Sequence, residues 1–134
     1  MGYGDTVSRG DNGGGEMGAN LPDVDLGGLL ALQLSAGYDH NCALLQGGFV
    51  KCWGDNGNGR LGYGDSTRRG DGGDEMGENL PSLDLDGLAV AIYTGDLFNC
   101  AIMVGGFVKC WGYNGYGNLG YGDTTQRGDG SDEM

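Results

Sequence analysis

The sequence predicts an all-β chain of tandem, blade-like antiparallel repeats, β-propeller-type units set in an open array or in part of a ring, with long loops rich in glycine and aspartate. Three observations carry this expectation. The run GGFVKCWG occurs twice without change, at 47–54 and at 105–112, so the chain is an internal repeat. Each copy holds the second member of a cysteine pair, Cys42/Cys52 and Cys100/Cys110, with nine residues between the partners, a hairpin spacing. No stretch places apolar residues at helical intervals, whereas short apolar runs end at glycine, as strands do.

The repeat sets the organisation. GYGDSTRRGDGGDEMGENLPSLDL (62–85) restates GYGDTVSRGDNGGGEMGANLPDVDL (2–26) with one residue deleted, and GYGDTTQRGDGSDEM (120–134) matches 62–76 at 12 of 15 positions. The expected units are residues 1–60, 61–118 and a partial third repeat, 119–134. The trailing copy suits a chain that shares strands with a neighbour, completing a blade of the next copy.

Within each unit, LLALQLSAG (29–37) and LAVAIYTG (88–95) read as buried strands. A hairpin follows, and its register can be derived. A three-residue loop at Gln46, Gly47 and Gly48 places Cys42 opposite Cys52, whereas a two-residue Gly-Gly turn would place it opposite Trp53. Only the first brings the sulfurs together, and it works identically for Cys100/Cys110 around Val104–Gly106. Two disulfides are therefore expected, and with them an oxidising compartment.

Strand alternation sorts the side chains. Cys42, Leu44, Val50 and Cys52 share one face; Ala43, Leu45, Phe49 and Trp53 share the other with Lys51. A hairpin apolar on both sides must lie between two other layers, with Phe49, Trp53, Phe107 and Trp111 as the packing motif. The rest of each unit lacks periodicity and reads as a loop of about 25 residues, a length usually tied to function or partner contact.

Composition excludes several classes. The net charge of −12, with only two lysines, repels a phosphate backbone, so neither nucleic acid nor anionic lipid is an expected partner. No apolar run reaches the roughly 18–20 residues of a spanning helix, so no membrane insertion is expected. Neither Cys-x2-Cys nor Cys-x-x-Cys-type metal or redox spacing occurs. The first residues lack the basic start and apolar run of a signal peptide.

The segments AGYDHNCALLQGGFVKCWGDNGNGRLGYGD and TGDLFNCAIMVGGFVKCWGYNGYGNLGYGD resemble the regulator of chromosome condensation repeat family, in its extracellular, cysteine-containing branch. The resemblance implies four-stranded antiparallel blades, usually seven in a closed ring, acting as interaction scaffolds. Two and a quarter units cannot close such a ring, and Phe98 stands where the pattern, kept by His40, has histidine. The exchange-factor and chromatin-binding residues of that family's best-known member have no counterparts here, and the acidic charge opposes chromatin.

Chemistry-bearing candidates are few. Asp71, Asp74 and Glu75, with the related Asp129, Asp132 and Glu133, are oxygen donors for calcium, although their spacing fits no calcium loop. No other cofactor is expected. The Arg-Gly-Asp triplets at Arg9, Arg69 and Arg127 recur at fixed repeat positions, which favours an arginine tied to a carboxylate of its own loop over receptor recognition. The single histidine, the missing nucleophile elbow and the missing phosphate loop point away from an enzyme. The functional expectation is a non-enzymatic extracellular or cell-surface structural protein that assembles with other copies of itself into a filament, ring or layer. The alternative is a fragment of a larger closed propeller that binds a glycan or another extracellular protein.

Overall fold

The computed structural model describes residues 2–11, 15–131 and 133. Six strands make two antiparallel sheets in simple meander order: β1 (Ala31–Ala36), β2 (His40–Leu45) and β3 (Val50–Gly54), then β4 (Ala89–Thr94), β5 (Phe98–Met103) and β6 (Val108–Gly112). We call them blade one and blade two. Among the described residues, the intervening segments are irregular apart from single 3-10 turns at Gly18–Asn20 and Gly77–Asn79.

The hairpin turn sets the register. Gly47 and Gly48 both have positive φ, +90° and +86°, which a side chain would resist, and the Leu45 amide donates to the Phe49 carbonyl at 2.8 Å. Leu44 then pairs with Val50 and Cys42 with Cys52. Blade two repeats the arrangement, with Cys100 paired to Cys110. Both pairs are closed as disulfides, Cα–Cα 4.1 Å in each, and no cysteine is free.

Each sheet has two faces, and they enter two cores. Cys42, Leu44, Val50 and Cys52 of blade one pack with Ile92, Ala101, Met103 and Trp111 of blade two and with Leu61, Leu83 and Leu85 from the connecting segment. On the opposite face Ala43, Leu45 and Trp53 pack with Leu80, and Val24, Leu26 and Met76 cover them. Blade one is thereby sandwiched along its outer strands, as its two-sided apolar pattern requires.

Three expectations need correction. The first strand is not buried: Leu32 and Leu34 are 65% and 64% exposed. Their alternate partners Gln33 and Ser35 turn towards blade two, so the leucines point to the side on which no blade stands. Phe49 and Phe107 are not packing anchors: they are 45% and 74% exposed, while Trp53 and Trp111 are buried. Each phenylalanine directly follows the turn, where its ring lies against Gly47 or Gly105 at the rim. The trailing repeat, expected on a neighbouring chain's blade, is paired within its own chain: Arg127 bridges to Gly112 of blade two, as Arg69 bridges to Gly54 of blade one.

The fourth strand of each blade is thus a single antiparallel bridge supplied by the start of the following repeat. Sequence period and blade are out of phase by one strand. Blade one takes its outer edge from 62–70 and blade two from 120–128.

Removing a disulfide from this aliphatic-poor chain, by Cys42→Ser with Cys52→Ser, is expected to lower unfolding free energy by about 2–4 kcal/mol in a denaturant titration. Intact mass measured without reductant should fall short of the reduced mass by the four hydrogens lost in two disulfides, and finding four free thiols would overturn the register.

Candidate functional site

Two polar constructions recur in the fold: a clamp that holds the outer edge strand on each blade, and the seam between blades.

The clamp begins with arginine. Arg69 Nη2 meets Asp65 Oδ2 at 2.8 Å, its Nη1 donates to the Thr67 carbonyl, and its guanidinium lies 4.1 Å over the centre of the Tyr63 ring. Arg127 does the same with Asp123 and Tyr121, and Arg9 with Asp5 and Tyr3. The arginine hydrogen bonds hold the Asp65 and Asp123 carboxyls below their usual range, and that of Asp5 at about 2. These are the arginines of the three Arg-Gly-Asp triplets, each turned inward onto its own loop.

The blade grips this loop at two points. The Tyr63 hydroxyl accepts the Cys52 amide at 3.1 Å and shares its proton with the Cys52 and Pro81 carbonyls; Tyr121 meets Cys110 in the same way. Burial pushes the Tyr63 hydroxyl up to about 12, so it stays a donor. Asn56, fully buried, donates to the Asp65 carbonyl, Asp65 Oδ1 and the Thr67 carbonyl, and its Oδ1 accepts the Leu61 amide at 2.9 Å. Asn114 reproduces every one of these bonds around Asp123, Thr125 and Leu119.

The seam joins blade one to blade two without a backbone ladder. The Gln33 carboxamide both donates to the Ile92 carbonyl (2.6 Å) and accepts the Ile92 amide (3.0 Å), and Ser35 Oγ bonds Thr94. His40, fully buried, places Nε2 2.8 Å from Asn99 Oδ1. Asn99 in turn donates to the Arg60 carbonyl, which also receives Trp111 Nε1 at 3.2 Å. Burial lowers the His40 pKa, so the ring is neutral, and it lies so close over Gly37 that any side chain there would collide with it. Phe98 takes this place in blade two, over Gly95.

Lys51 is buried as well, its ammonium held by the Leu26 and Gly77 carbonyls at 3.0 and 2.8 Å. It ties two long loops to the back of blade one.

The acidic candidates do not converge. Glu75 accepts the amides of Gly70, Asp71 and Gly72 at 2.8–3.1 Å, and these bonds, that from Gly72 foremost, lower its pKa. Glu133 closes the equivalent loop on Gly128 and Gly130, and Asp129 accepts Gln126. Asp132 lies outside the described residues. Among the described residues no three His, Cys, Asp or Glu side chains form a metal-holding group.

Sequence reasoning named the cysteines and tryptophans but assigned no role to Asn56, Asn114, Tyr63, Tyr121, Gln33 or Asn99. The signal for the clamp was present in the Trp-Gly-x-Asn and Gly-Tyr-Gly-Asp runs, which recur in step with the cysteines. The seam left no such trace, because Gln33, Ser35 and His40 are replaced by Ala91, Tyr93 and Phe98 in the second unit.

Disulfide-closed meanders whose outer strand is borrowed from the next repeat define a β-propeller-type repeat protein. Residues 32–60 match the model of the regulator of chromosome condensation (RCC1) repeat. The chain is 30% identical over 127 residues to the ultraviolet-B receptor UVR8 of Arabidopsis thaliana, an alignment covering 94% of this chain and 27% of that protein. Its fold is similar to that of human WBSCR16, with TM-score 0.63 and 22% identity, over 75% of this chain and 25% of the other. It is similar also to Prp20p of Saccharomyces cerevisiae, whose binding to Gsp1p and histones has been described, with TM-score 0.60 and 19% identity over 81% and 25% of the two chains. The chain spans about a quarter of the length of each of these proteins.

Two predictions test these constructions. Because the folded-state pKa of His40 is depressed, the unfolded chain binds a proton that the fold refuses below the ordinary value near 6.5. Stability should fall as pH drops through that value, and His40→Phe should flatten the decline in urea midpoints between pH 7 and 5. The loss from Asp5, Asp65 and Asp123 lies lower, below about pH 4, and should persist. Separately, Arg69→Ala should cost about 1–2 kcal/mol in urea unfolding, since it removes a paired and stacked guanidinium together.

Proposed function

We propose that this chain is a section of a β-propeller-type interaction scaffold that works outside the reducing cytoplasm and engages its partners through the exposed faces of its blades. The observation that carries the reading is the pair of apolar ends. Leu30, Leu32 and Leu34 stand exposed on blade one, and Tyr93, Val104, Phe107 and Val108 stand exposed on blade two. A blade-repeat chain buries each unit against its neighbours, so such ends seek other blades. The two disulfides favour an extracellular or cell-surface setting. Units of 1–60, 61–118 and 119–134 are the proposed repeats, and the work proposed for them is non-enzymatic.

The partners favoured are other blades of this type, including those of another copy of the chain, and an acidic surface opposes nucleic acid. Among the described residues no helix is long and apolar enough to cross a membrane.

Sedimentation equilibrium checks the reading. The chain should associate with rising concentration, and Leu32→Asp with Leu34→Asp should abolish that association while the disulfides stay intact. A wild-type chain that remains monomeric at every concentration, with those leucines inert, would sink it.

A further inference from the structure

Residues Gly2–Gly10 are a third copy of the outer edge strand, yet the described residues contain no blade for it. The clamp inside this segment is already formed. Arg9 Nη2 meets Asp5 Oδ2 at 2.6 Å, the guanidinium sits 4.5 Å over Tyr3, and the Val7 amide donates to Asp5 Oδ1. What the other two copies have and this one lacks is the grip of a blade. Among the described residues, Tyr3 meets no cysteine backbone, and no asparagine carboxamide reaches Asp5 or the Val7 carbonyl. The segment rests instead on the next loop, its Gly2 amide donating to the Gly70 carbonyl at 3.2 Å.

A second orphan lies beside it. Trp111 Nε1 donates to the Arg60 carbonyl, which sits just ahead of the edge strand that begins at Leu61. Trp53 is the equivalent of Trp111, is buried, and among the described residues its Nε1 has no hydrogen-bond partner. Asn118 holds in blade two the position that Arg60 holds in blade one, one residue ahead of Leu119.

We propose that Gly2–Gly10 is an outer strand built for a blade beyond its own, and that the blade is blade two of a second copy, from which residues 120–128 are displaced. The proposal rests on the blade-face reading above and names the partner. The two segments, GYGDTVSRG and GYGDTTQRG, differ only at Val7/Thr125 and Ser8/Gln126. From Thr125 blade two uses the main-chain carbonyl, and Gln126 bonds Asp129 rather than the blade, so every side chain that grips is shared. After exchange, Tyr3 takes the Cys110 backbone, Asn114 takes Asp5 and the Val7 carbonyl, and the Asn118 carbonyl receives Trp53 Nε1. The seam between copies then continues the one within the chain. It lacks the polar side-chain bonds of that inner seam, since Ala91, Tyr93 and Phe98 stand where Gln33, Ser35 and His40 bond across it, and it is closed by apolar contact instead.

The resident strand is a plug. It is tethered, and a short tether gives an effective concentration of about a millimolar, so a free copy of nearly equal strand loses at micromolar concentrations. Loosening the plug must therefore promote assembly, the opposite of what loss of an ordinary contact does.

The experiment uses the full chain. Tyr121→Phe with Arg127→Ala weakens only the resident strand; by light scattering on a sizing column, its association midpoint should lie roughly tenfold below that of the wild type. Adding Tyr3→Phe and Arg9→Ala to that variant weakens the incoming strand equally and should return its midpoint to that of the wild type. A loosened variant that keeps both disulfides and associates no more tightly than the wild type overturns the exchange, as does a combined variant whose midpoint stays at that of the loosened one. If the wild type still associates through Leu32 and Leu34 in that case, the face reading stands and only the strand exchange fails. As a check free of destabilisation, Val7, itself exposed, is replaced by the photo-crosslinker benzoylphenylalanine and mixed with isotope-labelled wild type at about 1 mM. Adducts to Cys110–Asn114 of the labelled copy are expected, and adducts confined to the same chain overturn the proposal.

Discussion

The three-residue glycine turn at Gln46–Gly48 is the constraint on which the molecule depends. With both glycines at positive φ, the strands leave the turn in one register, and that register decides three things at once. It sets Cys42 against Cys52 so that a disulfide can close. It puts Leu44 and Val50 on the face that meets blade two and Ala43 and Trp53 on the opposite face. It brings Gly54 to the edge, where an extended backbone can bridge to Arg69. A shift of one residue would invert every face and lose all three.

The charges of the edge-strand loops are satisfied locally. Each arginine of the Gly-Tyr-Gly-Asp loops is taken up by the aspartate four residues before it and by the tyrosine ring, and each Glu75-type carboxylate by the amides of its own loop. These carboxylates are thereby occupied within their own loops, and among the described residues no three His, Cys, Asp or Glu side chains gather into a metal-holding group. The buried polar atoms do a different job. Asn56, Asn114 and Asn99 hold segments of backbone that have no regular secondary structure, so three carboxamides replace the ladders that a longer fourth strand would have supplied. The edge strand is consequently held by side chains more than by sheet, which is what makes one copy of it exchangeable for another.

The seam shows how a repeat acquires direction. Gln33, Ser35 and His40 of blade one meet the backbone of Ile92 and the side chains of Thr94 and Asn99, while their successors Ala91, Tyr93 and Phe98 present apolar surface. The two ends of the chain are therefore chemically different although the strands that carry them are alike. Blade two's next neighbour meets a surface of another kind from the one blade one offers.

The repeat, the hairpin register, the cysteine pairing and the inward-turned arginines were legible from the residues alone, because each is a local relation within ten or so positions and was written more than once. The burial of β1 and of Phe49 and Phe107 was not, since alternation says which side chains share a face but not whether a neighbour stands against it. Ownership of residues 119–134 was equally undetermined. An edge strand follows its blade in sequence by only a short loop, and Asn114 and Gly112 claim it before another chain can. The sequence by itself determined the blade and its two faces, through glycine conformation and strand period. Only the tertiary structure decided which faces are covered and which strand completes which blade, because those depend on the neighbours the chain brings within reach.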